Sequence, residues 1–233
     1  MKPPRQIKLA GADKRLMKGT TSAGDFEVWA LSPSSGELLQ AIQSLGKFFP
    51  KDGDPMGNVK AQTPNHLAMV LLVSVGDFSM LLGADLEHVS SPAHGWNGVM
   101  TTTVAQSGTS CTLFKVPHHG SVTGYSALVW QQMLAQNAVA VLTPFHRGKC
   151  QVPSLAEVGV IGNHTTNAFI TSKNPLIRPR VKKPSIVERE IEDVTESGLH
   201  IERPEPGAIR CRSVVVDGQS SWDVALINGA TKL

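Results

Sequence analysis

The sequence predicts a layered α/β domain, and three observations carry that expectation. Short β-rich apolar runs alternate with stretches of helical spacing, the pattern of strands and helices stacked in layers. Turn formers punctuate the runs, with 21 Gly and 15 Pro in 233 residues. Two of the apolar runs, within residues 71–121, stop on side chains with chemistry to offer: LLVSVGDFSMLLGADLEH reaches Asp85, and CTLFKVPHHGS reaches His118 and His119.

Composition bounds what such a chain can be. Hydrophobic residues at 41% and charged residues at 18% suit a water-exposed globular protein long enough to bury a core. No stretch of about 18 apolar residues is present to span a bilayer. The first residues, MKPPRQIKLAG, lack the apolar core of a signal peptide, so a cytoplasmic protein without a membrane partner is expected. Cys111, Cys150 and Cys211 are odd in number and far apart, which favours free thiols. The net charge of +3 is unevenly spread, with basic clusters at Lys2, Arg5, Lys8, Lys14, Arg15 and Lys18 and at Lys173, Arg178, Arg180, Lys182 and Lys183. Such clusters can hold phosphates, although solubilising charge is the simpler reading.

In chain order, residues 1–24 read as a basic arm. FEVWALSP alternates as a strand does, and GELLQAIQSLGKFF places Leu38, Leu39, Ile42 and Leu45 at helical spacing behind an N-cap at Ser34 or Ser35. Residues 51–65 are turn chemistry. Residues 66–75 and 77–83 read as a hairpin about Gly76-Asp77, and the polar stretch after Asp85 as a loop or short helix. CTLFKVP is a buried strand; SALVWQQMLAQN a helix with a face of Leu128, Val129, Met133 and Leu134; AVAVLTPF a strand; SLAEVGVIGN a helix; NAFITSK a strand. Four segments follow: the arm at 1–24, an α/β domain at 25–173, a Pro-rich charged excursion at 174–206, and a terminal hairpin about Asp217-Gly218 at 207–233 that packs on the domain.

Imidazole and carboxylate delivered at strand ends suit Zn²⁺ or a similar borderline ion, which takes His nitrogen and Asp oxygen at about 2.0–2.2 Å. Gly83 and Gly120 flank these residues, where close backbone approach around a small ion favours a residue without a side chain. Taken singly, Asp85 could as well cap a helix and the histidines merely turn the chain.

The ordered series of segments resembles the C-terminal half of a metallo-β-lactamase-fold domain, closest to the hydrolase domain of the bacterial DNA-uptake channel family. That family's N-x-x-S-x-V-L, L-L-x-G-D-L-E and K-V-P-H-H-G-S correspond here to residues 65–71, 81–87 and 115–121, and VWALSP resembles the strand placed shortly before them. The likeness covers about residues 26–173. It implies the C-terminal half of an αββα sandwich with an added terminal hairpin, a bridging metal ligand at Asp85, a terminal ligand at His118, and His119 as the lesser of the pair. His146, with Arg147, is the candidate for a catalytic acid or phosphate contact, and Ser121 or Lys115 for a phosphate contact. The implied cofactor is Zn²⁺ or Mn²⁺, in a dinuclear site shared with a partner chain.

The departures are specific. Ala84 stands where the family has Gly directly before Asp, and Ala68 where it has Ser. The principal metal motif H-x-H-x-D-H belongs upstream, yet the first histidine here is His66. Three readings follow: a split hydrolase, a nuclease or phosphodiesterase acting on DNA or RNA, whose protein partner brings the motif and covers an open sheet edge and apolar face; a catalytically degenerate relative kept for binding or scaffolding; or a site using His66, His88, His94 and His146 as surrogate ligands. Retention of Asp85 and of H-H-G-S favours the first.

Overall fold

The computed structural model describes residues 10–46, 49, 64–147, 150–172 and 207–233. Most of the loop read at 51–65 and all of the excursion at 174–206 lie outside the described residues. Strand β1 (Lys14–Thr21) pairs antiparallel with β2 (Gly24–Ala30), so the second part of the stretch read as an arm is instead a sheet edge. Its sequence hid this because the register shifts between Arg15 and Met17, which breaks the alternation. Charge holds it in place: Lys18 pairs with Glu27 in the register, and Arg15 Nη1 lies 3.0 Å from the same carboxylate.

Helix α1 (Ser35–Gly46) starts where Ser34 Oγ accepts from the Glu37 amide at 3.1 Å while Glu37 Oε2 accepts from the Ser34 amide at 2.8 Å. This is a capping box. Glu37 is buried, and its other oxygen accepts from the Gly95 amide at 2.7 Å, so backbone donors offset the desolvation of its charge. The hairpin about Gly76-Asp77 forms as expected from β3 (Leu71–Val75) and β4 (Phe78–Leu82). Its first strand begins later than read, because Pro64–Leu67 coils into a 3₁₀ turn closed by the Ala68 amide on the Asn65 carbonyl at 3.1 Å.

Two short helices, α2 (Gly95–Met100) and α3 (Thr103–Gln106), cross to β5 (Cys111–Lys115). Helix α4 (Ala127–Gln132) is half the length its apolar spacing suggested. The Cys111 amide bonds the Met133 carbonyl at 2.7 Å and Leu134 pairs with Cys111, so the sheet draws Leu134 into β6 (Leu134–Leu142). After it come a ribbon of β7 (Phe145–Arg147) and β8 (Cys150–Val152), helix α5 (Leu155–Gly162) and strand β9 (Ala168–Ile170). The terminal hairpin is β10 (Ala208–Val216) with β11 (Gln219–Ile227), and β12 (Thr231–Lys232) returns to the main sheet.

That sheet has eight strands in the order β1-β2-β3-β4-β5-β6-β9-β12. It is antiparallel from β1 to β4, parallel through β4, β5, β6 and β9, and antiparallel again at β12. The protein is therefore a mixed α/β fold with a large mixed sheet and a C-terminal hairpin. The hairpin docks through Trp222, whose ring meets Phe78 edge-on at 4.9 Å and whose indole N–H donates to Thr112 Oγ1 at 3.0 Å. Among the described residues no helix is long and apolar enough to cross a membrane.

The core joins Leu81, Leu86, Trp96, Val99, Phe114, Met133 and Leu142, with Phe114 edge-on to both Trp96 and Trp130. Trp96 is wholly buried and donates its indole N–H to the Leu86 carbonyl at 3.0 Å, fixing the residue next to Asp85. Replacing it as Trp96→Phe leaves that buried carbonyl without the indole and opens space beside it; a loss of about 2 kcal/mol is expected in urea unfolding.

Candidate functional site

Asp85, His118 and His119 converge at the C-terminal ends of the parallel strands, where open α/β sheets place their ligand crevices. Strands β4 and β5 run parallel with Leu82 opposite Lys115, and their pairing continues past the strand ends. The Gly83 amide donates to the Lys115 carbonyl at 3.0 Å and the His118 amide to the Ala84 carbonyl at 3.0 Å. These two bonds tie the turn carrying Asp85 to the turn carrying the histidines. The Leu86 amide closes the first turn on the Gly83 carbonyl at 3.2 Å.

Glycine is required at 83 for a different reason from the one expected. A Cβ there would come within 2.9 Å of both the Lys115 carbonyl oxygen and the Pro117 Cβ, so the close approach is to the neighbouring strand. Three non-glycine residues at the site adopt left-handed backbone: Ala84 at φ 47°, His118 at φ 45° and His119 at φ 58°. Consecutive left-handed residues turn the chain sharply and set both imidazoles on the rim of one cavity of about 470 Å³. Asn65, Asp85, Thr123 and Cys150 line it with them.

Each imidazole is oriented from behind. His119 Nδ1 lies 2.9 Å from the Thr143 carbonyl oxygen, which only accepts, so Nδ1 carries the proton; Phe145 stacks on the ring at 5.1 Å. In the neutral ring Nε2 then keeps its lone pair. His118 Nδ1 lies 2.9 Å from Thr123 Oγ1 and 3.2 Å from Glu87 Oε1. The Asn65 amide nitrogen donates to Glu87 Oε1 at 3.2 Å and faces His118 Nε2 at 3.4 Å. Lys115, half-buried, donates to the Val116 carbonyl at 3.3 Å. Burial pushes its ammonium below the usual lysine range, with the charge of Asp85 opposing that shift.

The donor chemistry suits a borderline metal ion, but the set is partial. Among the described residues no group of three or more His, Cys, Asp or Glu side chains is arranged to hold a metal ion. Asp85, His118 and His119 share one cavity rim without forming such a group. Of the histidines read as surrogates, His66 Nε2 lies 3.6 Å from Glu87 Oε2, and His94 precedes α2 beside Gly36. His146 contributes backbone to β7 opposite Gln151, and its side chain and that of Arg147 lie outside the described residues. Ser121 is turned to Thr123 Oγ1 at 3.0 Å.

Sequence reasoning did not single out Asn65, Glu87, Thr123, Cys150 or Glu157 as site residues. For Glu157 a signal existed, since Ser154-Leu155-Ala156-Glu157 is a capping-box pattern, and the box forms at the start of α5. What the pattern could not show is the second contact, Glu157 Oε1 accepting from the Val122 amide at 2.6 Å. That bond pins the loop after His119 to α5. No protein family, curated protein or solved structure matches the chain.

Two solution properties follow. Cys111 is buried, which pushes its thiol up to about 12, whereas Cys150 is exposed at the cavity rim. Disulfide-exchange reagents at pH 8 are expected to label Cys150 quickly and Cys111 only on unfolding, as read by mass spectrometry of timed samples. Burial also lowers the pKa of His164, which stacks on Trp130 at 4.8 Å and bonds the Tyr125 hydroxyl at 2.9 Å. A depressed folded-state pKa means that the unfolded chain binds the extra proton first. Stability is thus fully present above the unfolded value of about 6.5 and declines as pH falls through the folded one. In thermal scans from pH 8 to pH 5, His164→Gln should flatten that decline.

Proposed function

We infer that the chain supplies the second half of the active centre of a metallo-β-lactamase-like hydrolase. The observation that supports this is the pair of backbone bonds that brings Asp85 beside His118 and His119 at adjacent parallel strand ends. The order of the segments, G-x-D-L-E then K-V-P-H-H-G-S, supports the same fold relation, with the present sheet as the C-terminal half of an αββα sandwich. The remaining ligands, those of an H-x-H-x-D-H motif, come in this reading from outside these 233 residues, on a partner chain. Zn²⁺ or Mn²⁺ held by the combined set would activate water toward a phosphodiester of DNA or RNA. The chain's own residues then have defined tasks. Glu87 and Thr123 fix the tautomer and aim of His118, and the Thr143 carbonyl does the same for His119.

A degenerate binding or scaffold subunit is the second reading. It is favoured by the enclosure of His118 between Glu87, Thr123 and Asn65, contacts that would also suit a purely structural histidine.

The two readings separate experimentally. The purified chain is expected to bind less than one equivalent of zinc and to leave DNA and RNA uncut, and co-expression with a protein carrying H-x-H-x-D-H should restore both. Asp85→Ala and His118→Ala should then abolish cleavage by the complex. Efficient metal-dependent cleavage by the chain alone would refute the split centre, and full activity of both variants in the complex would leave the scaffold reading.

A further inference from the structure

A second cavity of about 470 Å³ lies beside the first, and the two share Ser121, Val122 and Glu157 in their walls. Its lining is otherwise more apolar. Val116, Pro117, Tyr125, Trp130, Val160 and Ile161 face it from the loop after β5, from α4 and from α5. A volume in this range, mostly apolar walls and a few fixed polar groups are the usual attributes of a small-molecule site.

The polar side chains on this wall are already engaged. Tyr125 bonds His164 at 2.9 Å and Ser121 bonds Thr123 at 3.0 Å. Glu157 accepts from the Val122 and Ser154 amides, each at 2.6 Å, and Ser154 Oγ accepts from the Glu157 amide at 3.3 Å. A nucleobase placed there would exchange its hydration for mostly apolar walls, which is costly. An aryl or branched alkyl group loses nothing by the exchange and gains by leaving water.

The geometry points to this cavity as the subsite for an apolar arm of the ligand, an aryl or branched alkyl group whose polar head lies at Asp85, His118 and His119. The inference rests on reading those three residues as the reacting centre. It goes beyond the nucleic-acid reading to a further substrate class, phosphoesters that bear a compact apolar substituent. Val122 stands between head and arm, exposed over 70% of its surface but with its amide fixed by Glu157, so the rim between the cavities is held in place.

The test uses the full chain and three probes: methylphosphonate, benzylphosphonate and benzyl alcohol, titrated by calorimetry or ligand-observed NMR. Benzylphosphonate is expected to bind roughly tenfold or more tightly than methylphosphonate, the benefit of burying one aryl group. Val160 is 38% exposed on α5, so Val160→Asp, which charges the cavity, and Val160→Phe, which fills it, should both fold normally by circular dichroism. Each should return benzylphosphonate to the affinity of methylphosphonate. Equal affinity of the two phosphonates in the unaltered chain, or an aryl preference that survives both substitutions, would overturn the inference. Should benzyl alcohol bind as tightly as benzylphosphonate and lose its binding in Val160→Asp, the cavity is upheld and the phosphoryl role of the neighbouring centre is what fails.

Discussion

The parallel pairing of β4 with β5 is the constraint on which the rest depends. Parallel neighbours deliver their C-terminal ends to the same edge of a sheet, and here two further backbone bonds, from Gly83 to Lys115 and from His118 to Ala84, carry the pairing into the turns. Asp85 lies 33 and 34 residues before the two histidines in sequence but shares one cavity rim with them as a result. Trp96 and Phe114 sit in the core below that edge, so the hydrophobic packing that stabilises the domain also fixes the level at which the two turns emerge. Side-chain chemistry at the site is thus positioned by backbone hydrogen bonds and core volume before any ligand contributes.

Much of this was legible in the residues. The hairpin about Gly76-Asp77, the capped α1, α5 and the terminal hairpin follow from turn chemistry and periodicity, because each is decided by neighbours close in the chain. The misreadings are long-range. Leu134 continues a helical face in sequence, yet its partner Cys111 lies in another strand and the sheet wins. Lys14 to Thr21 looked irregular because an edge strand with a register shift, paired by charge opposite Glu27, does not keep its burial alternation along its length. At the site, Asp85 and the histidines could be picked out by their place after apolar runs. Glu87, Thr123 and the Thr143 carbonyl could not, since what matters about them is where a distant turn puts them.

The two cavities divide labour along one loop. Residues 118–125 turn their histidines to one side and Tyr125 to the other, with Ser121 and Val122 facing both. Glu157 is the link to the rest of the fold: its carboxylate caps α5 and holds the Val122 amide, so one side chain couples helix position to the rim. A rim bearing two imidazoles and a carboxylate thus adjoins a more apolar chamber.

The left-handed backbone at Ala84, His118 and His119 has a further consequence. For a residue bearing Cβ that conformation costs about 1–2 kcal/mol, a substantial part of the margin by which a domain of ordinary stability exceeds its unfolded state. Glycine would relax all three positions, but at 118 and 119 it would erase the imidazoles. The strain sits beneath the only two adjacent histidines of the chain, so the molecule is locally poorer as a folded object at the place where it is richest in reactive groups. Imidazoles at 118 and 119 are thus held at a conformational cost that glycine would not carry.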